Sequence, residues 1–256
     1  MFNLIDTHCH LDQIEDIDTA LKEAKAEGLK AIITVGTNYQ SNLRNLEIAK
    51  NLQIIKVFVA LGIHPTEILL PEIESCLKFI RENIGNAVAI GEIGLDYWYK
   101  NNKKDQIARE LQREVFLSQL NLAKEFNLPV IIHSRGAWQD CWDIIISCEI
   151  KKAVFHWFSG PLNILKEIIK AGFLISATPA LGYSPQHQEA IKNSPIENII
   201  IETDSPVFYR NKNGGFKASP KDVVRTLELL AQIKQMPISE MQTITTENAV
   251  NFFNLK

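Results

Sequence analysis

Eight short runs of apolar and β-branched residues alternate with longer segments of helical periodicity, and this alternation constrains the fold more than any other feature of the chain. The runs are Leu4–Thr7, Ala31–Val35, Val57–Leu61, Ala87–Ile90, Val130–Ile132, Ala153–His156, Phe173–Ser176 and Ile199–Glu202. Most are continuously apolar, as is typical of parallel strands covered on both faces. Eight β-α units of this kind predict an α/β protein, a closed (β/α)8 barrel of the TIM type.

The length of the chain agrees with one barrel. Such barrels run to about 250 residues, so the 256 residues are predicted to form one domain over 1–256. The clearest helix is predicted over Asp105–Phe126, where apolar residues recur every three or four positions. Further helices are predicted to open at Ser219-Pro220 and to cover Ser239–Phe253.

Composition and charge exclude several classes of protein. Lys and Arg number 27 against 30 Asp and Glu, a net charge of −3, which argues against an extended basic surface for nucleic acid but permits one local basic groove. Four cysteines without a CxxC pair argue against a disulfide scaffold. The sequence shows no signal-peptide pattern and no apolar run near the ~20 residues of a membrane span. We therefore predict a cytoplasmic protein without membrane contact.

Two histidines close the first predicted strand. In Asp6-Thr-His-Cys-His10 the strand period of two sends His8 and His10 to the same face. Inside a barrel that face is the lumen, where two neutral imidazoles can bind one divalent metal. A pair of histidines that hydrogen-bond within a core is an equally good interpretation of this segment alone.

Further metal-competent side chains fall at the carboxyl ends of other predicted strands. His133 and His156 terminate the fifth and sixth strands, Glu92 follows the fourth, and Asp204 ends the eighth. His64 ends the third. Because TIM barrels carry their active sites at this rim, we expect these side chains to cluster there with the two histidines of the first strand.

Six segments, in order along the chain, carry a family resemblance. They are Asp6-Thr-His-Cys-His-Leu-Asp12, Gly62-Ile-His-Pro65, Ile90-Gly-Glu-Ile-Gly-Leu-Asp96, His133-Ser-Arg135, His156-Trp-Phe-Ser-Gly160 and Glu202-Thr-Asp-Ser-Pro206. Any one segment is a weak signal, whereas all six in order are highly specific. Over essentially its whole length the chain resembles the TatD-type metal-dependent deoxyribonucleases of the amidohydrolase superfamily.

The resemblance implies hydrolysis of phosphodiester bonds in DNA, with a water activated by two metals attacking phosphorus. It places His8, His10, Glu92 and Asp204 around one ion and Glu92, His133 and His156 around the other. The chemistry of the residues independently suits Glu92 to bridging, since a carboxylate has two oxygens and an imidazole only one free nitrogen. Asp204 is a candidate base that orients the water or accepts its proton.

Several residues are candidates for substrate binding. By resemblance His64 contacts the substrate phosphate, although it could simply pack under Pro65. Arg135 suits either a phosphate or a structural carboxylate partner, of which we favour the latter. Three lysines interleave with aromatic residues in the segment Tyr97–Lys104, a composition typical of single-strand binding, although an ordinary solvated loop is nearly as good an interpretation. They are Lys100, Lys103 and Lys104.

Other polar residues receive structural interpretations. Asp6 and Glu202 share the lumen-facing parity of His10 and Asp204, so we expect them to hydrogen-bond metal ligands or internal waters. Asp12 and Asp96 are interpreted as loop caps. His187 is interpreted as a surface residue of a helix after the seventh strand.

Three functions fit these observations. The leading one is cleavage of DNA, most plausibly by an exonuclease on single-stranded or frayed ends, with no obligate protein partner. The alternative is a two-metal amide, lactone or ester hydrolase, although such relatives commonly bridge their metals with a carboxylated lysine where this chain has Glu92. A non-enzymatic protein with a structural metal is disfavoured, because structural sites usually close with four ligands. The His and carboxylate donors admit two ions of Zn, Mn, Mg, Co or Ni.

One segment departs from the family pattern. Many members carry Arg-Asn-Glu-Pro before the final helices, where this chain has Lys217-Ala-Ser-Pro220. Lysine lacks the planar fork of arginine, and Ser219 can cap a helix but cannot replace a charged partner. We expect metal binding to persist, the loop Ser205–Phe216 to be held differently, and substrate preference to shift.

Overall fold

The computed structural model describes residues 3–98, 105–210 and 214–256, and its centre is a sheet of eight parallel strands in sequential order. The strands are β1 (Ile5–Cys9), β2 (Ala31–Val35), β3 (Lys56–Leu61), β4 (Ala87–Gly94), β5 (Val130–His133), β6 (Ala153–Phe155), β7 (Leu174–Ala177) and β8 (Ile199–Ile201). Beyond β8, Cys9 and Ser205 form a parallel bridge, and the amide of Asp204 donates to the carbonyl of His8 at 2.9 Å. The last strand thus meets the first, and the predicted (β/α)8 barrel is confirmed.

One described helix follows each of the first seven strands and two follow the eighth. They are α1 (Ile17–Ala26), α2 (Tyr39–Asn51), α3 (Ile73–Asn83), α4 (Gln106–Phe126), α5 (Trp138–Ser147), α6 (Leu162–Lys170), α7 (Pro185–Lys192), α8 (Val223–Lys234) and α9 (Ile238–Phe253). Side-chain caps fix several starting points. Asp16, Asn38 and Asp105 each accept a hydrogen bond from the backbone amide three residues later, which satisfies one of the free donors at a helix start.

Apolar side chains form two layers that leave only one end of the barrel open. The larger layer packs between the sheet and the helices. The smaller one fills the lumen with Ile5, Ile33 and Ile131, and Phe252 and Phe253 of α9 pack against it. Among the described residues, these side chains therefore fill the lumen toward the amino ends of the strands and leave the metal-competent side chains at the carboxyl ends. No helix in the described ranges is both long and apolar enough to cross a bilayer.

Two strands carry a β-bulge at the positions that matter for function. In β1, the four residues from Asp6 to Cys9 lie opposite three residues of β2, Ile32 to Thr34, and β4 has the same irregularity between Ile90 and Ile93. An extra residue reverses the alternation of side chains. The shared parity expected for Asp6 and His10 is therefore wrong: Asp6 pairs with Ile32 of the outer layer and accepts hydrogen bonds from the amide and hydroxyl of Thr203 at 3.0 and 2.6 Å.

A short hairpin occupies the loop after β8. Its strands are β9 (Phe208–Tyr209) and β10 (Phe216–Lys217), and their register places Lys217 opposite Phe208. The helix predicted to open at Ser219-Pro220 begins as a 3₁₀ turn over Pro220–Asp222. The carboxylate of Asp222 accepts a hydrogen bond from the amide of Ser219 at 2.9 Å. The effect of this departing segment on substrate preference stays a prediction.

The surface position predicted for His187 is wrong. Its side chain is fully buried, and its Nε2 accepts a hydrogen bond from the amide of Thr178 at 3.2 Å. The proton is therefore on Nδ1, which donates to the carbonyl of Phe158 at 2.8 Å. Burial lowers the pKa of His187 to about 4. The sequence placed this residue on a helix but gave no sign that it faces the loop after β6.

Candidate metal centre

The side chain of Glu92 lies at the centre of a cluster of imidazoles at the open end of the barrel. Its Oε1 is 2.8 Å from Nδ1 of His133 and 2.8 Å from Nε2 of His156. Its Oε2 is 3.2 Å from Nε2 of His8 and 3.6 Å from Nε2 of His10. The two oxygens of one carboxylate therefore face two different pairs of histidines.

Asp204 lies on the Oε2 side of this carboxylate. Its Oδ1 is 3.3 Å from Nε2 of His10 and 3.5 Å from Nε2 of His8. The residue adopts a left-handed backbone with φ +49°, an uncommon conformation for a residue other than glycine that concentrates at functional sites. All six side chains expected to bind metal are thus brought together at the open end of the barrel.

The predicted positions at the strand ends hold to within three residues. His133 is the last residue of β5, His156 follows β6 directly, and Asp204 and His64 lie three residues beyond β8 and β3. Glu92 lies inside β4 rather than after it. Gly94 makes this longer strand possible, because a Cβ at that position would overlap the backbone of His133 and its φ is +141°.

His64 faces the cluster with a defined tautomer. The amide of Thr66 donates to Nδ1 of His64 at 3.2 Å, so the proton is on Nε2, which lies 3.5 Å from Oε1 of Glu92. Burial lowers the pKa of His64, which keeps the ring neutral. A neutral ring with a proton on Nε2 suits donation to an anionic oxygen, although His64, Glu92 and His133 are also close enough to share a cation.

Carboxylates behind two histidines fix which nitrogen faces the centre. Nε2 of His133 donates to Oδ2 of Asp96 at 2.9 Å, and Nδ1 of His156 donates to Oε1 of Glu202 at 3.3 Å. The contact of Glu202 agrees with its prediction. Asp96 also caps its loop as expected, accepting from the amide of Trp98 at 2.8 Å, but its contact with His133 was missed. Because β4 and β5 are neighbours, the position of Asp96 after β4 was the available signal.

The buried donors fit a divalent cation. Nε2 of His8 is buried without a hydrogen-bond partner in the described residues, yet carboxylate oxygens of Glu92 and Asp204 lie within 3.5 Å of it. Burial opposes ionisation of Glu92, but His156, His64 and His8 together hold its pKa well below the usual range. An unpartnered nitrogen facing anionic oxygens is a donor set that suits Zn, Mn, Co or Ni.

Two cavities of about 500 and 650 Å³ meet above the cluster, and both are lined by His10, His64 and Glu92. Arg135 lines the larger one. It is exposed, and its guanidinium has no acidic partner within residues 3–98, 105–210 and 214–256. The structural carboxylate predicted to pair with Arg135 is therefore not found in these ranges. The predicted DNA contacts of Lys100, Lys103 and Lys104 lie outside the described residues and stay predictions.

Comparisons of the sequence and the structure with known proteins agree on one family. A family model described as "TatD related DNase" matches residues 5–254. The Bacillus subtilis protein named "Uncharacterized metal-dependent hydrolase YabD" is 33% identical over 261 residues, covering 98% of this chain and 99% of the relative. "Deoxyribonuclease TATDN3" of Homo sapiens is 30% identical over 262 residues, covering 98% and 94%. The crystal structure of the TatD homologue YJJV from Escherichia coli superposes with a TM-score of 0.89 at 27% identity, covering 100% and 99%.

Proposed function

The chain belongs to the TatD family of metal-dependent hydrolases that act on ester bonds, and from this premise we propose that it hydrolyses phosphodiester bonds in DNA with two divalent cations. Relatives named as deoxyribonucleases, the human protein among them, support DNA as the substrate. The carbonyl chemistry of the alternative amide, lactone or ester hydrolase has no comparable support among these relatives.

The observation that supports two cations is that the two carboxylate oxygens of Glu92 contact different histidines. One oxygen faces His133 and His156, and the other faces His8 and His10. A carboxylate whose two oxygens face different pairs of imidazoles would be shared as a ligand by two cations. Asp204 would complete the second set.

The chain's own residues would handle the water and the phosphate. When bound, the cations would supply Lewis acidity and lower the pKa of a bound water. Burial opposes ionisation of Asp204, but its contacts with His10 and His8 hold its pKa below the usual value. Asp204 is therefore an anion that can orient a water and accept its proton. The proton on Nε2 of His64 can be donated to a phosphate oxygen, which supports a substrate-binding role for this residue.

The depth of the centre favours single-stranded or frayed DNA. Glu92 is 2% exposed and Asp204 6%, so the phosphate to be cleaved must enter the barrel mouth. A single strand or an unpaired end can bend into this opening, whereas a paired duplex would have to separate first. We therefore expect digestion to begin at strand ends.

Metal removal and reloading tests the proposal. The protein is stripped with a chelator, reloaded with Zn, Mn, Mg, Co or Ni in turn, and analysed for metal content. Hydrolysis is then followed on single-stranded and double-stranded DNA labelled at one end. We expect two metals per chain, no hydrolysis before reloading, and faster shortening of single strands.

Two outcomes would contradict the proposal. Hydrolysis that survives complete chelation would exclude a metal-dependent reaction. A reloaded protein that cleaves amides or lactones but leaves DNA intact would support the alternative hydrolase instead.

A further inference from the structure

Besides Trp138 at the start of α5, three aromatic side chains from the loops at the strand ends line the 650 Å³ cavity together with the candidate centre. Trp157, Tyr183 and Phe208, called here the aromatic wall, border the same space as Glu92 and Asp204. They come from three separate loops, after β6, after β7 and after β8. None of them is used by the proposed hydrolysis.

A buried tyrosine supports this wall from behind. Tyr209 is fully buried, and its ring centroid lies 5.3 Å from that of Trp157 and 6.5 Å from that of Tyr183. Its hydroxyl donates to the carbonyl of Thr203 at 2.8 Å. The wall therefore rests on an anchored ring next to the strand end that carries Asp204.

Backbone conformation and packing also hold two rings of the wall in place. Trp157 has a left-handed conformation with φ +41°, and its amide donates to the hydroxyl of Ser176 at 2.8 Å. Phe208 packs on Gly215, where a Cβ would lie 2.5 Å from Cε1 of the phenylalanine ring. Both positions are held by contacts with residues that do not line the cavity.

The wall exposes aromatic surface on one side of the centre only. Phe208 is 60% exposed and Tyr183 38%. The 500 Å³ cavity on the other side is lined by polar residues at the start of α2, such as Asn38, Ser41 and Arg44, and by no aromatic ring of the described residues. A substrate that crosses the centre would thus meet aromatic faces at one end and polar groups at the other.

We infer that the aromatic wall is a subsite for a nucleobase, which stacks there while the adjacent phosphate occupies the centre. This inference rests on the proposed function and names the part of the DNA that the larger cavity binds. Every base has a π-face, so stacking of this kind holds a strand with little preference for sequence. Apolar exposed rings beside a charged centre have no comparable role toward a phosphate alone.

The test separates the base from the backbone. A single strand of thymidine nucleotides is compared with a strand of equal length built from stable abasic residues, and kcat/KM is measured for both with the reloaded enzyme. We expect the wild-type protein to prefer the thymidine strand. Phe208→Ala should lower the ratio of the two kcat/KM values about fivefold to 150-fold, the range found for loss of one stacked base, whereas Phe208→Tyr should preserve it.

The control for loss of an exposed phenylalanine is a second phenylalanine far from the cavity. Phe126 is an exposed phenylalanine at the far end of α4, and Phe126→Ala should leave the ratio unchanged. Thermal unfolding of each variant verifies that it is folded. Equal cleavage of both strands by the wild-type protein, or a normal ratio in folded Phe208→Ala, overturns the subsite and leaves the proposed function intact. Cleavage of neither strand overturns the proposed function and the subsite with it.

Discussion

At the scale of single residues, Glu92 occupies a position that no other side chain of the centre can fill. Glu92→Gln keeps the shape of the side chain but removes the anion that faces both pairs of histidines. We expect turnover to fall at least about a hundredfold, since a preorganised charge supplies about 3 kcal/mol, and the bound metal to fall below two per chain. Steady-state kinetics and elemental analysis measure the two effects. Near-normal turnover with two metals bound would exclude the bridging role.

Asp96 is a positioning residue for His133. In Asp96→Asn the anion behind Nε2 of His133 is lost, and with it the contact that fixes which nitrogen faces the centre. Because loss of such a partner weakens metal binding about tenfold to a hundredfold, we expect the dissociation constant for metal, measured by chelator competition, to rise by that factor. Asp143→Asn is the control, since Asp143 is an exposed carboxylate of α5 that accepts a hydrogen bond from Gln139. Equal affinities for the two variants would contradict this role.

The clustering of the six side chains could be predicted from sequence, because each lies at the end of an apolar run whose pattern predicts a strand. The orientation of Asp6 could not, because the bulge that turns it outward depends on pairing with β2. The contact between Asp96 and His133 was hidden for a similar reason. The two residues are 37 positions apart, and only the adjacency of β4 and β5 brings them together.

At the scale of elements, α7 is attached to the barrel through His187. The unfolded chain takes up a proton on this ring near pH 6.5, whereas the folded chain does so only near 4. The folded pKa is depressed, so stability is lost as the pH falls from about 6.5 to 4. The largest loss is about 3 kcal/mol, which follows from the difference between the two pKa values.

The variant His187→Gln isolates this effect because it lacks the titrating ring and keeps every other histidine. We expect the free energy of unfolding of the wild-type protein to fall more steeply than that of the variant between pH 7 and pH 4. Urea unfolding at a series of pH values measures both. Parallel pH profiles would show that His187 does not couple folding to protonation.

The strand and helix boundaries could be predicted closely wherever apolar runs end in polar residues. The predicted β2 is found unchanged, and the predicted helix Asp105–Phe126 is found as α4 with Asp105 as its cap. β4 runs four residues past its predicted end at Ile90. The prediction stops there because Gly and Glu, which occupy positions 91, 92 and 94, are uncommon in strands. Pairing with β5 holds these residues in the sheet.

At the scale of the whole molecule, metal binding should stabilise the fold, because the centre joins residues from β1, β4, β5 and β6 to the end of β8. Any ligand that binds only the folded state stabilises it, by about 2.7 kcal/mol at a concentration 100 times its dissociation constant. We expect chelation to lower the Tm and added metal to raise it progressively. Thermal unfolding over a metal titration measures the shift, and Glu92→Gln should show a smaller one. A Tm independent of metal would mean that metal does not bind preferentially to the folded chain, which would contradict a metal centre built by the fold.

The seam between β1 and the segment after β8 has a consequence for how the enzyme is made. Cys9 and Ser205 meet there across 196 positions of sequence. At about 5–20 residues per second, a ribosome needs roughly 10–40 s to travel from the first pair of histidines to Asp204. During that interval the nascent chain carries His8 and His10 without Asp204, one of their two acidic partners. With the proposed ligand set, full metal loading would therefore be a late event of biosynthesis, and hydrolytic activity would report that the two ends of the barrel have met.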